Sequence, residues 1–334
     1  MISVPDLTFN SAIQFIEELS YIILEEGEEF NFSGVYTCDP FPMLLVSTAI
    51  RQLRQNSNVK KCKAINCNNT YAEHMRFFKA IGINKGRELS ENYGNSNYLP
   101  ITKLEIRDLK NEGIANIERI QEVIENKAKS MSRVLSNGNV SFMNWLKYIL
   151  TEIMRNIPEH SQADAIWYCA QYWPRYDLVE LAILDEGIGI RESLIDNPAH
   201  SDEIKNDEDA LRLAIQPGIS KAFAPGCKKT SDDIWANSGY GLFMVSRLCE
   251  ELGGSFIIVS GERALKVANG SGCELYSTEF NGTAIQIRMR PSKINDYEEI
   301  AKRILCEGEK IAKQNSGRFE SASKSSKSLF WNGE

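Results

Sequence analysis

The spacing of apolar residues changes several times along the chain, and each change predicts an element. In "SAIQFIEELSYIILEE", residues 11–26, Ile13, Phe15, Ile16, Leu19, Ile22 and Ile23 recur at helical spacing with acids between them. "FNFSGVYT" alternates and predicts a strand. "CDPFP" predicts a loop, because prolines fix φ and remove donors. "MLLVSTAIRQLRQ" then predicts a helix, "CKAINC" a strand, and "YAEHMRFFKAIGI" a second helix closed by Gly82. This alternation predicts a small α/β unit over residues 1–100, bounded by the turn-rich "GRELSENYGNSNYLP".

A second run begins near residue 112. "NEGIANIERIQEVIENKAKSMSRVL" predicts one long amphipathic helix and "SFMNWLKYILTEIMRNI" another. "AIWYCAQYW" and "LVELAIL" predict a hairpin joined by "PRYD". Residues 191–237 lack clean periodicity, which predicts a functional lid or a disordered stretch. "YGLFMVSRLCEEL" predicts a helix, "GGSFIIVSG" and "TAIQIRMR" strands, and "INDYEEIAKRILCEGEKIAKQ" a last helix. The Ser/Lys-rich end, "NSGRFESASKSSKSLFWNGE", predicts disorder.

Composition narrows the class. The chain has 334 residues, 43% of them hydrophobic and 25% charged, which fits a soluble protein of two domains. Its 45 acids against 38 bases argue against nucleic acid as the partner. No apolar run approaches a membrane span, and the first residues lack the pattern of a signal peptide. The eight cysteines form no C-x-x-C pair, which points to reduced thiols and a cytoplasmic setting.

The chemistry gathers in the second run. Glu152, Asn156 and His160 share one helix face in "TEIMRNIPEHS", although Pro158 must kink or end that helix. "ILDEGIGI" ends a strand on Asp185 and turns on Gly187 and Gly189; alone, this is turn chemistry. "NSGYGLFMV" sets Gly239 and Gly241 before a helix, where backbone N–H groups can cradle phosphate. "FNGTAIQI" opens a strand with Gly282 and Thr283.

In that order, these four elements resemble the GHKL ATP-binding domain shared by gyrase, heat-shock chaperones, histidine kinases and MutL-type repair proteins. The resemblance spans residues 112–292, leaving 293–334 as a terminal helix and tail. It implies an α+β fold, the two-layer α/β sandwich of the Bergerat type, which binds ATP with Mg²⁺. It also implies that Asp185 accepts from the adenine amino group and that Gly187 and Gly189 admit the nucleotide. Thr283 would support the adenine, Asn156 hold Mg²⁺, and Glu152 act as general base. Gly239, Gly241 and Leu242 would close on the phosphates. In the lid, Ser220 and Lys221, and after them Lys228 and Lys229, would add phosphate contacts.

The first 100 residues resemble a STAS-like domain, the fold of anti-sigma-factor antagonists, with "TCDPFPM" where such a domain carries its phosphorylatable hydroxyl. Asp39 is present there, Pro40, Phe41 and Pro42 replace the hydroxyl, and Thr37 is the nearest acceptor, so the unit reads as a degenerate interaction domain. The helix over 114–135 has no histidine to accept a phosphoryl group, which disfavours the histidine kinases. About 42 residues follow the Gly-Thr strand, too few for the second domain of the gyrase-like branches. The resemblance is nearest to anti-sigma-factor serine kinases, with partner proteins engaged through the STAS-like unit and homodimerisation open. A kinase, a weak ATPase and a non-catalytic nucleotide-gated interaction module all remain open.

Overall fold

The computed structural model describes residues 1–59, 62–86, 97–219, 239–270, 272–294 and 297–316. The chain opens with strand β1 (Ile2–Ser3), helix α1 (Phe9–Ser20), β2 (Glu29–Asn31), α2 (Pro40–Asn56) and β3 (Lys63–Ile65). The three strands pair in parallel in the order β1-β2-β3. Parallel neighbours need crossovers, which α1 and α2 supply. Short helices α3 (Thr70–His74) and α4 (Phe77–Ala80) complete the unit.

Several sequence expectations are corrected here. "CDPFP" is not a loop: Pro40 to Pro42 form the first turn of α2, where a missing N–H leaves no bond unmade. The helix expected over 71–83 breaks at Arg76, which takes a left-handed φ of 63°. The strand expected over 30–37 is confined to Glu29–Asn31.

The second run starts earlier than its pattern indicated. Strand β4 (Tyr98–Glu105) leads into α5 (Ile106–Asn116) and α6 (Ile120–Leu135). The single helix expected over 111–135 is thus two, divided at Ile117, whose φ is 61°. Next come α7 (Val140–Asn156), β5 (Ala165–Trp173) and β6 (Leu178–Asp185), the last two forming the expected hairpin. Helices α8 (Gly189–Ile195) and α9 (Asp207–Ala214) occupy the first part of the stretch expected to be irregular. The chain continues with α10 (Gly241–Glu251), β7 (Ser255–Ala268), β8 (Gly272–Met289) and α11 (Tyr297–Ser316). Ser220, Lys221, Lys228, Lys229 and the tail from 317 lie outside the described residues.

Five strands form one antiparallel sheet in the order β4-β5-β6-β8-β7. Side chains alternate across a strand, so each strand contributes to two cores. On one face, here the front, Ile166, Leu181, Ile183, Ile258 and Ile285 pack against α6, α7, α10 and α11. On the rear face, Cys169, Ala182, Leu184, Ile257, Val259 and Ala284 join the core of the N-terminal unit. The molecule is therefore layered as helices, sheet and N-terminal unit. Among the described residues no helix is long and apolar enough to cross a membrane.

Candidate functional site

The front face holds a pocket with about 790 Å³ of empty space, open solvent at its mouth included. Its walls are mostly aliphatic: Ile153 and Ile157 below, Ile183 and Ile285 from the sheet, and Ile190, Leu194 and Leu242 around the rim.

Asp185 lies at the end of β6, buried, with Thr283 directly opposite on β8. Residues far apart in sequence are thereby made cross-strand neighbours. The Asp185 Oδ1 accepts a hydrogen bond from the Gly187 N–H at 2.9 Å. Burial nevertheless pushes its carboxyl from an ordinary 3.8 up to about 7, because that bond and one with the Ser161 side chain only partly replace the water it has lost. A donor arriving in the pocket would supply part of what those two bonds leave unmade, and binding would favour the ionised form.

The turn after Asp185 is shaped by close contacts. A Cβ on Gly187 would stand 2.0 Å from the Ser161 carbonyl oxygen, so only glycine fits there. Gly187 thus packs beneath the site and does not line it. Gly189 has a φ of 80°, a conformation that favours glycine, and opens α8 at the rim. Ser260 ties this turn to the other strand end: its hydroxyl accepts from the Ile190 N–H at 3.0 Å and donates to the Gly282 carbonyl at 2.8 Å.

Helix α7 supplies the polar edge. Its first turn is capped by the Asn139 side chain, which accepts from the Phe142 N–H at 2.9 Å. It ends at Asn156, and residues Ile157–Ser161 continue as a π-helical turn carrying Pro158. Such turns recur at functional sites because they re-aim side chains. Here the wider turn brings His160 and Ser161 to the pocket beside Asn156.

Glu152, one turn earlier, is buried next to α10. A Cβ on Gly241 would lie 2.7 Å from its Oε2, so the carboxylate rests against the N-terminus of that helix. Burial pushes its carboxyl from 4.5 up to about 7; Arg155 opposes the shift and Glu159 adds to it. A carboxylate balanced near neutrality beside a helix N-terminus can take a proton and leave the N–H groups for an anion.

The structure gathers Asn156, Asp185, Gly189, Gly239, Gly241, Leu242 and Thr283 around one pocket, with Glu152 behind Gly241 and Gly187 beneath the turn. Ser161, Ser193 and Ala214 also line it without having stood out in the sequence. Ser193 sits on α8, a helix too short to show periodicity. The residues fit a nucleotide with its metal: a largely aliphatic pocket holds the buried Asp185 carboxyl and the Asn156 amide, and the lack of a Cβ at Gly241 leaves room for the Glu152 carboxylate. Among the described residues no group of three or more His, Cys, Asp and Glu could hold a metal unaided. Magnesium needs no such cage when phosphate and water fill most of its positions.

The model of one protein family, described as histidine kinase-, DNA gyrase B- and HSP90-like ATPase, matches residues 143–322, more than half of the chain. The match begins in α7, shortly before Glu152, and takes in every element of the pocket. No curated protein matches the chain. The chain belongs to this ATPase family.

Proposed function

We propose that this member of the family is an ATP- and Mg²⁺-dependent regulatory protein whose nucleotide state is read by partner proteins. The observation that carries this reading is the cross-strand pair of Asp185 and Thr283 at the end of an apolar slot. It supplies an acceptor and a hydroxyl to the exocyclic edge of a base, between aliphatic walls that suit its faces. Asn156 would hold Mg²⁺ through its amide oxygen, and bound Mg²⁺ would neutralise phosphate charge. Glu152 would take the proton of a water or hydroxyl directed at the γ-phosphate.

Glu152 favours chemistry over passive binding, because a carboxyl held at about 7 is matched to proton transfer at neutral pH. Within the family we place the chain nearest the anti-sigma-factor serine kinases, with the STAS-like N-terminal unit as the part that partners address.

Incubation with γ-labelled ATP and Mg²⁺ tests the reading. Label should appear as free phosphate or on an added partner, and Glu152→Ala should lower that rate by about 10² to 10⁴-fold while ATP still binds. Unchanged turnover in Glu152→Ala would remove Glu152 from the chemistry. Binding with no transfer in the wild type would leave a nucleotide-gated interaction module.

A further inference from the structure

The turn that follows Asp185 and the stretch of β8 that leads into Thr283 have rear sides, and both are gripped by one helix of the N-terminal unit. Alternation sends Asp185 forward to the pocket and its neighbour Glu186 backward. There the Glu186 Oε2 accepts from the Arg51 Nη2 of α2 at 3.1 Å and from the Trp167 Nε1 at 3.0 Å. The Arg51 guanidinium lies over the Trp167 ring, its central carbon 3.8 Å from the centroid, and its Nη2 also donates to the Thr48 hydroxyl at 3.0 Å. A cation held over a ring and bonded to two side chains has little freedom to drift.

The next residue of α2 reaches the β8 stretch. The Gln52 Nε2 donates to the Asn281 carbonyl oxygen at 2.7 Å. Asn281 immediately precedes Gly282 and Thr283, and Gly282 is itself pressed against the Asp185 turn: a Cβ there would lie 2.1 Å from the Asp185 carbonyl oxygen. Adjacent side chains of one helix thus hold, from behind, the turn after Asp185 and the neighbouring stretch of β8, both of which face the base from the front. Solvent partly reaches the Arg51–Glu186 pair, so its Coulombic part is screened. Its value is geometric, because it fixes where the Asp185 turn stands.

We propose that Arg51 and Gln52 are positioning residues for the base side of the nucleotide site, which makes the N-terminal unit a structural part of that site. This rests on the assignment of ATP to the front pocket. It assigns α2 a role in ligand affinity, whatever partner the rest of the unit engages. A partner that pulls on α2 would loosen the base site without entering it.

The test uses the full chain with ATP and with adenosine, which lacks the phosphates. Arg51→Ala should weaken both by about tenfold, the size of one or two lost positioning bonds. Gln52→Ala should act in the same direction, and Arg51→Lys should recover part of the loss by restoring the charge without the planar fork. In the ligand-free protein, amide exchange in Arg51→Ala should quicken at residues 186–189 and 281–284, with the front helices unchanged.

Wild-type affinity for both ligands in folded Arg51→Ala and Gln52→Ala would overturn the inference, as would exchange that quickens everywhere. A loss for ATP without a loss for adenosine would also overturn it, since the effect would then lie on the phosphate side. If Arg51→Ala does not fold, Gln52→Ala gives the same reading. If the wild type binds neither ligand, it is the proposed function that fails, whereas the exchange result still reports on the grip of α2.

Discussion

The two faces of the five-stranded sheet are built from the same strands and bury different things. The front face is aliphatic, and its acids, Asp185 and Glu152, are buried with few partners. The rear face carries a saturated polar cluster. Glu180 is fully buried there, and its Oε1 accepts from the Phe41 N–H at 2.8 Å and the Gln286 Nε2 at 2.9 Å. Its Oε2 accepts from the Arg288 Nε at 2.7 Å, while Arg288 also reaches the Asp39 Oδ2 at 2.8 Å. The Phe41 N–H is one of the orphan donors at the start of α2, so the helix end and the carboxylate satisfy each other. Burial still raises the Glu180 carboxyl, but Arg288 and the bonds from Phe41 and Gln286 oppose the shift, and a buried carboxylate so well partnered fastens two layers together. A buried charge left short of partners is free to take up a ligand or a proton. Along β6, five residues separate the two conditions.

The largest effect should come from breaking the saturated face. Arg288→Ala leaves Glu180 buried without its cation and should cost about 3 kcal/mol in denaturant unfolding, toward the low end for such pairs because Arg288 itself reaches solvent. The deficit should shrink on acidification, since a proton can then replace the lost cation. Next in size, Gly187→Ala drives a methyl into the Ser161 carbonyl and should cost about 2 kcal/mol by the same measurement. It should also lower ATP affinity, because the turn must move.

The smallest effect is a slope with pH. Glu152 and Asp185 each have a carboxyl raised to about 7, so the folded protein keeps protons that the unfolded chain has lost. Their contribution to stability is complete below about pH 4 and is lost as the pH rises through 7. Glu152→Gln removes one such group and should raise Tm by about 2–4 °C at pH 8, with the gap narrowing towards pH 5. A constant gap across that range would mean that burial does not govern the Glu152 carboxyl.

The legible parts of the sequence were those with a clean period. Strands β5 and β6 emerge from apolar runs and the turn "PRYD", and the glycine motifs fall where turns and a helix start require them. Strand β4 went unread, inside and beyond the turn-rich "GRELSENYGNSNYLP", because Pro100 and an irregular register between Leu99 and Thr102 mask its alternation at the sheet edge. Only the second half of β8, from Thr283, was legible, because Asn281–Gly282 reads as a turn, yet the strand runs through it with Gly282 at a φ of 119°. Helix α9 has no periodicity to show in its short length; its signal was Asn206 capping a first turn of three acids. The rear cluster was invisible for another reason. A single Glu in "LVELAILD" says nothing of an arginine 108 residues later, and only the β6–β8 register brings Glu180 opposite Arg288.

The central claim is that the carboxylate short of partners on the front face is the base-recognising group. Calorimetric titration of the folded protein with ATP and Mg²⁺ at pH 8, wild type against Asp185→Asn, tests it most directly. The amide keeps the shape of the side chain but loses the charge that accepts the amino group, so affinity should fall by about a hundredfold. Equal affinity in a folded Asp185→Asn protein would contradict the account.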